Sequence, residues 1–147
     1  MSSSQIHSCD IFSSQIRTDF YSVGMTNAIP WIFYVSELGR PVVQREIEKL
    51  KLSSYELGVL ERVLLRLETS DGTWHDATYL GREIWEARVR LTHRQIRLLY
   101  SLELEERVHL ALLAAVKKTQ KVPRQWIDLA ITRRLNWRSR MEEREGM

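Results

Sequence analysis

The chain predicts an α+β fold of order β-α-α-β-β-β-α: a small sheet dominated by antiparallel pairing, two helices packed on one face, and a C-terminal helix. Three observations carry that expectation. An aromatic and β-branched run, Trp31-Ile32-Phe33-Tyr34-Val35, precedes two stretches with helical apolar spacing. Three strand-like runs then follow from Ile84 to Val116, the first two joined by the short connection Thr92-His93-Arg94, which reads as a hairpin. A basic segment, Lys117-Lys118-Thr119-Gln120-Lys121-Val122-Pro123, leads into a last helix.

Each element has its own local reason. Gly39 breaks the first strand, and Pro41 can open a helix in which Val43, Ile47 and Leu50 share one apolar side. Ser53-Ser54-Tyr55-Glu56 matches a capping box, in which Ser53 receives the Glu56 N–H and the Glu56 side chain reaches back. Leu57, Leu60, Leu64 and Leu67 line the helix beyond, and Thr69-Ser70-Asp71-Gly72-Thr73 is a turn-rich stop. From Ile84 to Arg90 the chain alternates, with Trp85, Ala87 and Val89 on one side and Ile84, Glu86, Arg88 and Arg90 on the other. Gln95 to Ser101 alternates again, setting Ile96, Leu98 and Tyr100 against Gln95, Arg97 and Leu99. Glu103 to Arg107 is a charged turn, and the apolar run Val108 to Val116 reads as a central strand buried on both faces. The last helix is expected from Pro123 to about Asn136, with Ile127, Ala130 and Ile131 inward.

At 147 residues the chain suits one domain. The serine-rich residues 1–28 read as a disordered or loosely attached extension in which Met25 could be the true start; 29–137 read as the domain and 138–147 as a charged tail. Apolar content of 44% and charged content of 28% are those of a globular protein. The single cysteine, Cys9, excludes an intramolecular disulfide or a multi-cysteine zinc site and fits a reducing cytoplasm. No apolar run reaches the roughly 20 residues of a membrane span, and the N-terminus lacks the pattern of a secretory signal. There is no His-Glu-x-x-His and no glycine-rich phosphate loop.

Charge is distributed unevenly. Lys117 to Arg140 holds eight Lys/Arg against Asp128 alone, so that segment carries +7 and the rest of the chain −4, for a total of +3. Lys117, Lys118 and Lys121 cannot be buried unpaired and must face water or an anion. Beside a proline-led helix start, that anion is a phosphate, most naturally of a nucleic-acid backbone. A solvated charge run is the plain alternative.

Four features in order resemble the RelE/HigB-type toxin superfamily, and within it the phage-derived HigB-like branch. Trp31 to Val35 followed by Gly39-Arg40-Pro41-Val42 is similar to the family's opening strand and first helix. Ile84-Trp85-Glu86-Ala87-Arg88 is similar to its leucine-x-glutamate-leucine-arginine strand, and Ile96-Arg97-Leu98-Leu99-Tyr100 to its tyrosine-arginine-isoleucine-x-tyrosine strand. Lys117 to Pro123 is similar to its lysine-lysine-threonine-x-lysine-threonine-proline entry to the last helix. The resemblance implies a RelE-like fold and the toxin of a type II toxin–antitoxin pair. It further implies messenger RNA cleavage in the ribosomal decoding site, without metal or other cofactor, by attack of a 2′-hydroxyl on the adjacent phosphate. The implied partner is a helix-turn-helix antitoxin of the HigA type; no membrane is involved.

A phosphorane gaining negative charge needs positive donors, and arginine meets two phosphate oxygens while staying charged. Arg88, Lys118 and Arg97 are the expected catalytic cations, with Glu86 and His93 as candidates for proton transfer. Lys117, Gln120, Lys121, Arg124 and Arg90 are the expected RNA- and phosphate-binding residues. Against these stand plainer readings: a salt bridge between Arg88 and Glu86, backbone anchoring by Lys118, and a surface His93. Tyr100 falls on the helix-covered face and His109 in the buried strand, where core packing is expected of both. Trp126 and Trp137 could stack on bases or pack. A non-catalytic binder of nucleic acid or ribosome, or a phage protein that grips an acidic host protein, would use the same cations.

Overall fold

The computed structural model describes residues 28–69 and 76–146. Its elements are β1 (Trp31–Phe33), α1 (Val42–Lys49), α2 (Ser54–Glu68), β2 (Ala77–Gly81), β3 (Ile84–Arg90), β4 (Gln95–Glu103), β5 (Val108–Val116) and α3 (Arg124–Glu145). Residues 1–27 of the expected extension, with Cys9 and Met25, and residues 70–73 of the expected turn lie outside the described residues.

The five strands form one sheet in the order β1-β5-β4-β3-β2. β1 runs parallel to β5, pairing Trp31 with His109, while the other three ladders are antiparallel. The α+β class is as expected, with one strand more. β2 escapes sequence reading because its five residues are too few for alternation to show. It owes its place to pairing with β3. The turn between them puts Arg82 and Glu83 in the left-handed region, at φ 54° and 70°, which few non-glycine residues adopt.

Register sorts the side chains onto two faces. Trp85, Ala87 and Val89 stand beside Tyr100, Leu98 and Ile96, as the alternation predicts. Trp31 joins this face, its ring 4.9 Å from that of Tyr100 and stacked at 4.6 Å on His109. Its indole N–H donates to the Leu64 carbonyl at 2.9 Å, which fastens α2 over the sheet. Val43 and Ile47 of α1 and Leu60, Val63 and Leu64 of α2 complete this core. The capping box forms as predicted: the Glu56 N–H donates to Ser53 Oγ and the Ser53 N–H to Glu56 Oε1, each at 3.1 Å.

The opposite face carries Glu86 and Arg88 of β3 with Arg97, Leu99, Ser101 and Glu103 of β4. α3 is anchored at the Glu103 end. Glu103, 2% exposed, accepts from Arg134 Nε at 2.7 Å and from Arg138 Nη1 at 3.2 Å. The expected helix end near Asn136 is too early. Trp137 is buried, Arg138 also pairs with Glu106 at 3.0 Å, and Arg140 donates to the Val35 and Ser36 carbonyls. These tertiary contacts hold a charged segment helical through Glu145 that periodicity alone would let fray. Pro123 is the N-cap rather than the first helical residue. Among the described residues no helix is long and apolar enough to cross a membrane.

Candidate functional site

β-Pairing sets Arg88 directly across the ladder from Arg97. Like charges at such a position weaken a strand pair. Glu86 gives partial relief: its Oε2 lies 3.3 Å from Arg97 Nε, with both side chains almost wholly buried. The Glu86–Arg88 salt bridge, the plainer reading of Arg88, does not form, because the carboxylate goes diagonally to Arg97. Arg88 instead donates through Nη1 to Thr78 Oγ1 of β2, a partner that only the unforeseen strand supplies.

Arg97 is 3% exposed. Its Nη2 donates to Gln95 Oε1 at 2.9 Å, but its Nε and Nη1, like Glu86 Oε2, find no hydrogen-bond partner among the described residues. A buried polar group without such a partner calls for an explanation. Burial pushes the Arg97 guanidinium below the usual arginine range; Glu86 opposes this, and Arg88 and Arg90 add to it. Lys117 lies in the same field. Its ammonium is lowered by partial burial and by Arg97, raised by Glu86, and lowered again by Arg88 and Arg90. Arg88, Arg90, Arg97 and Lys117 thus share one electrostatic neighbourhood with Glu86, a local concentration of positive charge that favours an anion.

The basic loop is placed by hydrogen bonds at its start. The Lys117 N–H donates to the Gln95 carbonyl at 2.8 Å, next to Arg90, and Thr119 Oγ1 donates to the Lys121 carbonyl at 2.7 Å. Lys118, Gln120 and Lys121 are exposed, and Arg124 is exposed in the first turn of α3. The loop ends beside Arg82, in the turn before β3, so its two ends stand at opposite ends of β3. Sequence reading missed Arg82; Gly81 between two extended runs was the available hint of a turn there.

The remaining candidates are spread out. His93 is exposed at the β3–β4 hairpin, which Arg94 ties to Glu56 of α2 at 3.0 Å. Tyr100 is buried and its hydroxyl pushed far up by burial, as its helix-covered position predicts. His109 is a core residue: its Nδ1–H donates to the Ile29 carbonyl at 2.7 Å, and burial pushes the imidazole down. Trp137 packs in the core and Trp126 lies half-buried against it, so packing accounts for both. Among the described residues one acidic group, Glu105, Glu106 and Glu145, is close enough to share a cation, and Arg138 already pairs with the first two.

The model of the family described as "Phage derived protein Gp49-like (DUF891)" matches residues 47–135. That span covers α2, all the antiparallel strands, the basic loop and the start of α3. No curated protein matches the chain.

Proposed function

The chain belongs to the Gp49-like family of phage-derived proteins, a RelE/HigB-like toxin family of toxin–antitoxin systems, and on that premise we propose that it is a ribosome-dependent endoribonuclease of messenger RNA. The observation that carries the reading is the opposition of Arg88 and Arg97 within a cluster that also holds Arg90 and Lys117. A sheet that sets two arginines across from each other, with two further cations nearby, is suited to receive a phosphodiester.

In the proposed reaction the RNA 2′-oxygen attacks the adjacent phosphorus and loses its proton. The bond to the 5′-oxygen breaks, leaving a 2′,3′-cyclic phosphate and, after protonation, a 5′-hydroxyl. Charge builds on the non-bridging oxygens, where preorganised cations lower the barrier most. Arg88 and the exposed Lys118 are the residues assigned to those oxygens. Arg97, held beneath by Glu86, is a positioning residue that also maintains the positive potential. Glu86 and His93 are the two candidates for proton transfer. Lys117, Gln120, Lys121, Arg124 and Arg90 guide the backbone. The proposed partner is a helix-turn-helix antitoxin that masks these cations.

Burial of the Glu86 carboxylate against Arg97 favours one second reading, a protein that binds RNA or ribosome without cutting, since that needs no proton acceptor. Growth after controlled induction in bacteria, with primer extension on an abundant message, separates the two. Arrest with discrete new 5′ ends, lost in Arg88→Ala and Lys118→Ala at equal protein level, is the expected result. Normal growth with intact messages and folded protein sinks the nuclease reading.

A further inference from the structure

A cavity of about 520 Å³ opens where α3 begins, lined by Arg82, Lys121, Val122, Pro123, Arg124, Ile127 and Asp128. Its volume lies within the roughly 300–1,000 Å³ typical of small-ligand sites. It mixes two chemistries. Arg82, Lys121 and Arg124 bring three cations from two separate segments of chain, and none has an ion-pair partner among the described residues. Asp128 offsets one of them. Val122, Pro123 and Ile127 supply an apolar wall, each half-buried and bordering accessible space. Pro123 gives α3 no side-chain cap, so no side chain of the N-cap satisfies the first-turn N–H groups of this 22-residue helix.

Free phosphate would need only the cations, and an apolar side chain would need only the wall. A nucleotide uses both, because it joins an anionic phosphate to a flat, largely apolar base. The position along the strand matters as well. Arg82 precedes β3, whereas Arg88 lies within it. Ile84 to Arg88 spans roughly 13 Å at about 3.3 Å per residue. The cavity is therefore separate from the Arg88–Arg97 cluster, and the loop from Lys117 to Pro123 joins the two. A strand of RNA following that loop would pass from one to the other.

We infer that this cavity is a second nucleotide subsite, which takes the phosphate and base of a residue flanking the phosphate held at Arg88. The inference rests on the RNA-directed reading above but not on cleavage. Arg82 and Lys121 grip the flanking phosphate, and Val122, Pro123 and Ile127 bear against its base.

The test is binding of a fluorescein-labelled 2′-O-methyl RNA hexamer, which has no free 2′-hydroxyl, to the full chain, followed by anisotropy at several salt concentrations. Binding to a single strand weakens with salt at a slope near −0.7 per phosphate neutralised. Arg82→Ala with Lys121→Ala is expected to weaken binding and flatten that slope by about 0.7 for each phosphate that is no longer neutralised. Ile127→Ala is expected to weaken binding of the hexamer at unchanged slope and to leave an abasic hexamer unaffected. Unchanged affinity and slope in the double variant, at an unchanged melting temperature, would overturn the subsite, as would failure of the wild-type chain to bind. Wild-type protein that binds with these slopes yet cuts no message refutes the nuclease reading alone. Cleavage that persists with an unaltered slope in the double variant refutes the subsite alone.

Discussion

Glu86 and Arg97 are joined diagonally across β3 and β4, with 3.3 Å between Oε2 and Nε, while Arg88 occupies the position directly opposite Arg97. The pair is buried, yet its surroundings are cationic, so its two members are unequal. Arg97 has one carboxylate to balance it. Glu86 has Arg88, Arg90 and Lys117 in the same field.

That inequality gives the first prediction. Glu86→Ala strands a buried guanidinium among three other cations and is expected to cost about 3–5 kcal/mol, the scale for breaking a buried pair from one side. Arg97→Ala is expected to cost less, because nearby cations can take up the carboxylate. Urea denaturation of both variants at neutral pH measures the difference. Equal losses would show that the surrounding cations do not reach Glu86.

Arg88→Ala should separate stability from activity. Removing one of two opposed like charges is expected to raise stability by about 0.2–1 kcal/mol, less whatever the Thr78 hydrogen bond and the other contacts of Arg88 contribute. Cleavage in a ribosome-supplemented translation extract is expected to fall on the order of 10²–10³-fold. A variant both less stable and fully active would assign Arg88 to the scaffold.

Glu103 governs the seat of α3. It receives Arg134 and Arg138 in a site that is 2% exposed, and these guanidinium donors hold its carboxyl below the usual range against the effect of burial. Glu103→Ala leaves two arginines facing an empty, buried position. It is expected to cost about 3–5 kcal/mol and to open α3 to limited proteolysis near Arg134. An unchanged digestion pattern would place the anchor of α3 elsewhere, at Trp137 or Arg140.

His109 sets an acid limit on stability. Burial lowers the folded imidazole from its ordinary value of 6.5, and the Ile29 carbonyl only partly opposes this. Above about pH 6.5 both states are neutral and nothing is lost. As pH falls below 6.5 the unfolded chain binds the proton first, and stability drops until the folded imidazole also charges. Glu103 acts in a lower window, its contribution being lost as pH falls below 4.5. Urea midpoints between pH 7 and 5 should therefore decline in the wild type and flatten in His109→Gln. Parallel slopes would mean that another group titrates there.

Much of the architecture was legible because it is local. Period-two alternation from Ile84 to Ser101 assigns Trp85, Ala87, Ile96, Leu98 and Tyr100 to the core face and Glu86, Arg88 and Arg97 to the other, and the register agrees. Ser53 and Glu56 announce the start of α2, and the capping box forms. Arg88, Arg97 and Lys117 were named from alternation and charge alone, and the fold brings them into one neighbourhood; Arg82 was not named. β2 was not legible, since five residues without a strong pattern become a strand only by pairing with β3. The full length of α3 was not legible either, because Trp137, Arg138 and Arg140 are held by partners distant in sequence.

The sequence by itself determined every element but β2, which side chains of β3 and β4 share a face and where positive charge accumulates along the chain. These follow from spacing, capping and composition within a few residues of each position. Only the tertiary structure decided that Glu86 pairs with Arg97 rather than Arg88, that Arg97 is buried, and that Arg82 meets Lys121 and Arg124. Such choices depend on cross-strand register and on where a loop returns. Pairwise charge interactions fall off with distance and rise with burial, and neither quantity exists until the strands are assembled.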